Sequence, residues 1–280
     1  MNRPGAAAGS VAAILLTVLL SFGGATAQEK SSTERVGLVS GHVVMESGGI
    51  IRMDSTRREI FLVFTGHEFA DGGSRIREIL RHHGVRASFF LTGDFYRNPR
   101  FRGLIRGLRA DGHYLGGHSN RHLLYASWTK RDSLLVSKKE FLDDLAENYG
   151  AMGHCGVMKD SAPWFLPPYE WYNDTIAAWV REAGLTLVDF TPGTRSNADY
   201  TIPEERNYVS SSAIEQSILF YEKSRPGGLC GFLLLTHIGT DPRRTDKLYN
   251  HLDGLILELK RRGYAFRRLP PYGLLRSSAQ

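Results

Sequence analysis

The chain has 280 residues, 42% of them hydrophobic and 23% charged, which excludes a low-complexity or disordered protein and suits one large domain. A net charge of +6 is carried by helix faces (Arg75, Arg77, Arg81; Lys138, Lys139; Arg261, Arg262) and not by a basic patch interleaved with aromatics. That argues against a nucleic-acid partner and for solvated surfaces, with attraction to an anionic wall polymer the next reading. Cys155 and Cys230 are the two cysteines, too few for a disulfide framework. They are read either as one pair or as two buried thiols.

Arg3, the apolar run from Val11 to Phe22 and the small residues Ala25-Thr26-Ala27 have the layout of a secretory signal peptide over 1–27. The run is short for a span of roughly 20 residues, and no second one of spanning length follows. The expectation is an exported chain, periplasmic or extracellular, with no stable membrane span after cleavage. Residues 28–57 are a polar lead-in followed by one or two strands, a hairpin that caps a barrel base. Residues 58–270 form the main domain, and 271–280 a tail.

A strand–helix rhythm begins at Glu59 to Phe64, a buried-strand run. Ile76, Ile79 and Leu80 mark a helix over 74–83 stopped by Gly84. Val85 to Leu91 is the next strand, Phe101 to Ala110 a helix, and Tyr114-Leu115 a short strand. Ser137 with Glu140 is a capping box opening a helix to about Tyr149, and Ser212 with Glu215 reads as a second one. Between them lie a helix at Asp174 to Ala183 and a strand at Leu185 to Phe190. Gly231 to Thr236 is a buried strand, Leu248 to Leu259 the last helix, and Tyr264 to Leu269 the last strand. Continuous apolar strands alternating with helices predict an α/β fold, an irregular (β/α) barrel. Chemistry then belongs at the C-terminal strand ends.

Four segments stand there. Thr65-Gly66-His67-Glu68-Phe69-Ala70-Asp71 follows the first barrel strand, and His118-Ser119-Asn120-Arg121-His122 follows the short one. Two histidines at i, i+4 converge on one cation if the segment takes a helical turn. Phe165-Leu166-Pro167-Pro168-Tyr169-Glu170-Trp171 is a rigid aromatic segment suited to the wall of a sugar-binding cleft. His237 ends the strand at 231–236, placed for acid–base work.

In this order the segments resemble the NodB-homology polysaccharide deacetylases, carbohydrate esterase family 4, from about Arg58 to Leu269. His118, Ser119 and His122 match that family's His-Ser/Thr-x-x-His motif. Gly84 to Phe90 is similar to its second strand, Phe165 to Tyr169 to its third motif, and Leu233 to His237 to its leucine-rich strand with the catalytic histidine. Asp199 loosely resembles the acid that supports that histidine. The first motif departs: where the family has Thr-Phe-Asp-Asp, with a base and a ligand, this chain has Thr65-Gly66-His67-Glu68. A second register uses Phe69-Ala70-Asp71-Gly72. The family's third-motif arginine is Leu166.

The resemblance implies one divalent ion, zinc first, held by Glu68, His118 and His122. His67 or Asp71 would serve as base, His237 as acid, and Tyr169, Glu170 and Trp171 would hold the substrate. Which of Glu68, Asp71 and His67 is ligand or base stays open. The implied reaction is hydrolytic deacetylation of an N-acetylated, or O-acetylated, polysaccharide or oligosaccharide. A carbohydrate-binding protein on the same scaffold and a hydrolase of small amides are the alternatives.

Overall fold

Strands that are apolar on both sides need cover on both faces, and two such runs occupy the middle of the sheet. In the computed structural model, which describes residues 43–271, these are β3 (Glu59–Gly66) and β8 (Phe232–His237). They pair in parallel with Thr65 opposite His237. The signal segment and most of the tail lie outside the described residues.

The chain enters through a hairpin of β1 (Val44–Glu46) and β2 (Gly49–Arg52), turning at Ser47 and Gly48, both at positive φ. The hairpin is part of the sheet and not a separate cap: Arg52 pairs with Phe232 of β8. Beyond β3 come β4 (Ser88–Leu91), β5 (Tyr114–Gly117), β6 (Trp164–Phe165) and β7 (Thr186–Leu187), each parallel to its neighbour. The short β9 (Ala265–Arg267) pairs with the start of β3, on the edge whose later part takes β4.

The chain after β7 closes the curl. Asp189 N–H donates to Ile50 O at 2.8 Å and Thr191 N–H to Leu233 O at 3.0 Å, so this segment fills the gap between β2 and β8. The described residues form a curled, mixed sheet wrapped by helices, the irregular (β/α) barrel that the strand–helix rhythm predicts.

Seven α-helices cover the outside among the described residues: α1 (Gly73–His82), α2 (Gly93–Arg97), α3 (Arg102–Ala110), α4 (Lys138–His154), α5 (Asp174–Glu182), α6 (Ser211–Ser224) and α7 (Leu252–Arg261). The capping box at Ser137 forms as predicted. The second does not: Ser210 caps α6 through Ala213 N–H, and Glu215 instead accepts from His251 Nδ1 at 2.7 Å. Cys155 and Cys230 are both free thiols. No helix among the described residues is long and apolar enough to cross a membrane.

Candidate active site

The strand register sets the site. Gly66 of β3 pairs with Leu91 of β4, Leu91 with Gly117 of β5, and Gly117 with Phe165 of β6. The next residues along, His67, Thr92, His118 and Leu166, therefore stand at one level above the barrel, beside His237 at the end of β8. Gly66 allows this crowding, because a Cβ there would lie 2.7 Å from Ile238 Cγ2 and 2.8 Å from Leu91 Cδ2.

His118 is buried, and its Nδ1–H donates to the Leu166 carbonyl at 2.8 Å. A carbonyl can only accept, so the bond fixes the tautomer and leaves Nε2 as a free acceptor. Burial, before any other cause, pushes the His118 pKa down to about 3. Burial and then the neighbouring rings of His118 and His67 push His122 down to about 2. Both imidazoles are neutral at ordinary pH. Their ring centroids are 5.0 Å apart, and those of His67 and His122 are 4.9 Å apart.

The 118–122 segment is not a helical turn. Ser119 and His122 take φ of 68° and 59°, folding the segment back on itself. Asp144 of α4 pins it there, accepting from Ser119 Oγ and Asn120 N–H at 2.8 Å, Arg121 N–H at 3.2 Å and Tyr125 O–H at 3.3 Å.

His237 faces this pair with its Nδ1 2.6 Å from Asp199 Oδ1. The other oxygen of Asp199 accepts from His237 N–H at 2.9 Å and from Thr236 Oγ1. Burial disfavours a charged His237 ring, but the Asp199 carboxylate outweighs it and the pKa is raised. Neutral His118 and His122 thus stand opposite a histidine held toward its protonated form, the separation that a hydrolytic site needs.

Of the β3 segment, His67 enters the site, with Nδ1 3.2 Å from Thr92 Oγ1. Glu68 stays at the rim: its side chain is 67% exposed, with Oε1 3.9 Å from His67 Nε2. Asp71 is not brought in. Its carboxylate accepts from Thr240 N–H at 2.8 Å, Tyr249 O–H at 3.0 Å and Lys247 Nζ at 2.9 Å, ties that fasten the loop after β8.

The chemistry of the donor set fits a divalent ion: two neutral imidazoles, one with its tautomer fixed, and a third ring beside them. A carboxylate from β3 is not aligned with them. Among the described residues, the one group of three such donors within 4.8 Å of one another lies elsewhere, at His82, His83 and Asp253. There Asp253 Oδ1 lies 2.9 Å from His83 Nε2 and joins α1 to α7.

A cleft of about 700 Å³ opens over the site, lined by His67, His118, His122 and His237 and walled by Trp128, Tyr169, Trp171, Phe190 and Tyr200. The predicted aromatic segment is here, with Tyr169 against His122 at 4.3 Å between centroids. Tyr169 and Glu170 take φ of 60° and 53° in succession, a left-handed backbone that costs each roughly 1–2 kcal/mol. Trp171 Nε1–H donates to Ser127 O at 3.2 Å, and Trp128 lies 5.3 Å from Trp171. Burial lifts the Glu170 pKa to about 7. Thr92, Trp128 and Asp144 are site residues that the sequence reading missed. Only the tryptophan, in an otherwise polar loop, left a local signal.

The polysaccharide deacetylase family model matches residues 54–188. A peptidoglycan-N-acetylglucosamine deacetylase of Bacillus cereus is 23% identical over 217 residues, 76% of this chain and 68% of that one. Among solved structures, a peptidoglycan N-acetylglucosamine deacetylase with a bound N-hydroxybenzamide superposes with a TM-score of 0.63 at 19% identity, covering 81% of this chain and 94% of that one. A family 4 carbohydrate esterase of Bacillus subtilis gives 0.61 at 18% identity, over 79% and 83%. A family 4 pseudoenzyme of Bacillus anthracis gives 0.62 at 18% identity, over 80% and 68%. The matched stretch runs from the approach to β3 to the close of β7 and contains the His118–His122 pair. The fold is that of the polysaccharide deacetylases, and over residues 54–188, just under half of the chain, the sequence matches that family's model.

Proposed function

We propose that the chain is an exported, metal-dependent hydrolase that removes acetyl groups from N-acetylated, or O-acetylated, sugars of a polysaccharide. The observation that carries this reading is the neutral His118–His122 pair facing the His237–Asp199 dyad on the floor of an aromatic-walled cleft. His118 and His122 would hold the ion, zinc being the first choice for imidazole donors, with His67 or Glu68 completing the set. A divalent ion there would polarise the acetyl carbonyl and make water acidic enough to ionise near neutral pH.

The protein's own groups do the rest. Where Glu68 completes the set, His67, steadied by Thr92, is the base nearest the pair and takes the proton from the attacking water. His237, kept protonated by Asp199, gives a proton to the departing amine or alcohol as the carbon–nitrogen or carbon–oxygen bond breaks. Tyr169, Trp128 and Trp171 offer ring faces to the sugar. A polymer suits the cleft better than a small amide, because the cleft meets a second depression that shares Glu68, Phe69 and Thr240.

Metal content and acetate release, measured together, test the reading. The dialysed chain should hold about one ion and release acetate from N-acetylglucosamine oligomers. His118→Ala and His122→Ala should each lower metal affinity by about 100-fold or more and abolish release. Release that survives a chelator and both substitutions would refute it. The exposed Glu68 supports a second reading, a carbohydrate-binding protein without turnover. It predicts oligosaccharide binding that a chelator leaves unchanged, with no acetate produced.

A further inference from the structure

Glu170 is the one carboxylate that two successive left-handed residues turn into the aromatic cleft. Among the described residues its side chain has no hydrogen bond or ion pair. The guanidinium lining the same cleft, Arg243, is committed to Asp241, with bonds of 3.0 and 2.6 Å. His237 has its Nδ1 committed to Asp199, and the charge it lends Glu170, without a hydrogen bond, does not offset the burial of the acid. Two buried acids, Asp189 and Asp199, are close enough to act on the half-buried Glu170 or be acted on by it, each of the two interactions disfavouring a further negative charge. The aromatic faces of Trp128, Tyr169, Trp171 and Tyr200 share this side of the cleft.

A carboxylate held in such a place with no ion-pair partner in contact is costly unless a ligand brings a closer charge. Aromatic faces around it favour a cation over a neutral hydroxyl. We infer that Glu170 and these aromatic faces form a subsite for the ammonium group of an amino sugar, so that the preferred substrate chain carries a free amine beside the acetylated unit. Partly deacetylated polymers of N-acetylglucosamine have this chemistry. The inference rests on the deacetylase reading and narrows its substrate. The elevated pKa of Glu170 agrees with it, since the charge of His237 does not offset the burial of the acid and an ammonium in contact would draw it down.

Binding tests it without turnover. Titrate the metal-free full chain and Glu170→Gln with a glucosamine tetramer and with an N-acetylglucosamine tetramer at neutral pH. The expected result is a loss of about tenfold or more, one desolvated charge contact, in affinity of Glu170→Gln for the glucosamine tetramer alone, the acetylated tetramer binding both chains alike. A glucosamine affinity unchanged in Glu170→Gln overturns the subsite. Equal weakening of both oligomers also overturns it, since it reduces the contact to one with hydroxyls. If neither tetramer binds the wild-type chain, this inference and the carbohydrate reading fall together. If both bind independently of Glu170, only the subsite falls. A thermal melt matching wild type confirms that Glu170→Gln is folded, and Glu205→Gln, elsewhere on the cleft lining, should leave both affinities unchanged.

Discussion

Asp199 shows how much one carboxylate can set. It is buried and accepts from the ring and backbone of His237 and from Thr236, so it fixes both the position and the proton of the ring opposite the histidine pair. Replacing Asp199 with Asn keeps the shape and removes the charge. Burial is then opposed only by the smaller effect of Glu170, and the His237 pKa falls. An activity that needs protonated His237 is lost as pH rises through that pKa, so the basic limb of the pH–rate profile should move to lower pH in Asp199→Asn. The rate at neutral pH should drop by about 100-fold or more, the usual share of an acid–base group. Titration of the His237 ring by NMR checks the cause; an unmoved basic limb would deny His237 its role. Leu166 acts through its backbone alone, the carbonyl that orients His118.

Elements were legible wherever an apolar period ended in a residue with only one reading. Gly84, Gly112 and Gly184 follow α1, α3 and α5 at φ of 63°, 76° and 79°, a conformation that costs glycine little, and Gly84 had marked the end of its helix in the sequence. α2 has five residues, too few to show a period, and β6 and β7 have two each. The run of three serines at 210–212 left the α6 cap open, since a serine caps equally well at each register. In the site, His118, His122, His237 and Tyr169 were legible because they sit at strand ends. The choice among His67, Glu68 and Asp71 was not, because it depends on where the loop after β8 offers Lys247 and Tyr249 to Asp71. Asp144 was invisible for the same reason: its partners lie on another segment. It also ties an element to the site, which gives a comparison within α4. Asp144→Ala leaves several buried donors unpaired and should cost roughly 2–4 kcal/mol, while weakening metal binding by about 10–100-fold through the displaced loop. Ser137→Ala at the start of the same helix should cost about 1 kcal/mol with metal affinity unchanged. Urea denaturation and metal titration of the two variants separate the effects; equal loss of metal in both would mean that α4 supports the site only by being folded.

At the scale of the molecule, the barrel closes by letting the segment after β7 reach β2 and β8, and the strand ends then crowd histidines together at the floor of the cleft. That crowding has a consequence for stability in acid. His113 and His118 are both buried, and burial depresses their pKa values to about 4 and about 3. In the unfolded chain each returns to about 6.5. Between these limits the unfolded state binds protons that the folded state refuses, so stability rises with pH. The contribution is fully present above about pH 6.5 and is lost as pH falls toward the folded values, at up to about 1.4 kcal/mol per pH unit for each ring. His237 works in the opposite sense: its raised pKa stabilises the fold below its unfolded value, and that part is lost as pH rises through the folded pKa. His122, depressed further, adds to the loss toward acid, while the raised carboxyls of Glu170 and Asp189 oppose it. Urea denaturation of the metal-free chain from pH 7 to pH 5 should therefore read the share of a single ring by substitution. His113→Gln should lessen the loss toward acid by about the share of one ring, because His113 lies outside the candidate metal centre and has no other role in the cleft. A bound ion should steepen it, since protons then compete with the metal for His118 and His122. A pH dependence from pH 7 to pH 5 that is the same in the wild type and in His113→Gln would mean that His113 accepts its proton inside the fold, and burial would then not be what holds the rings of this barrel neutral.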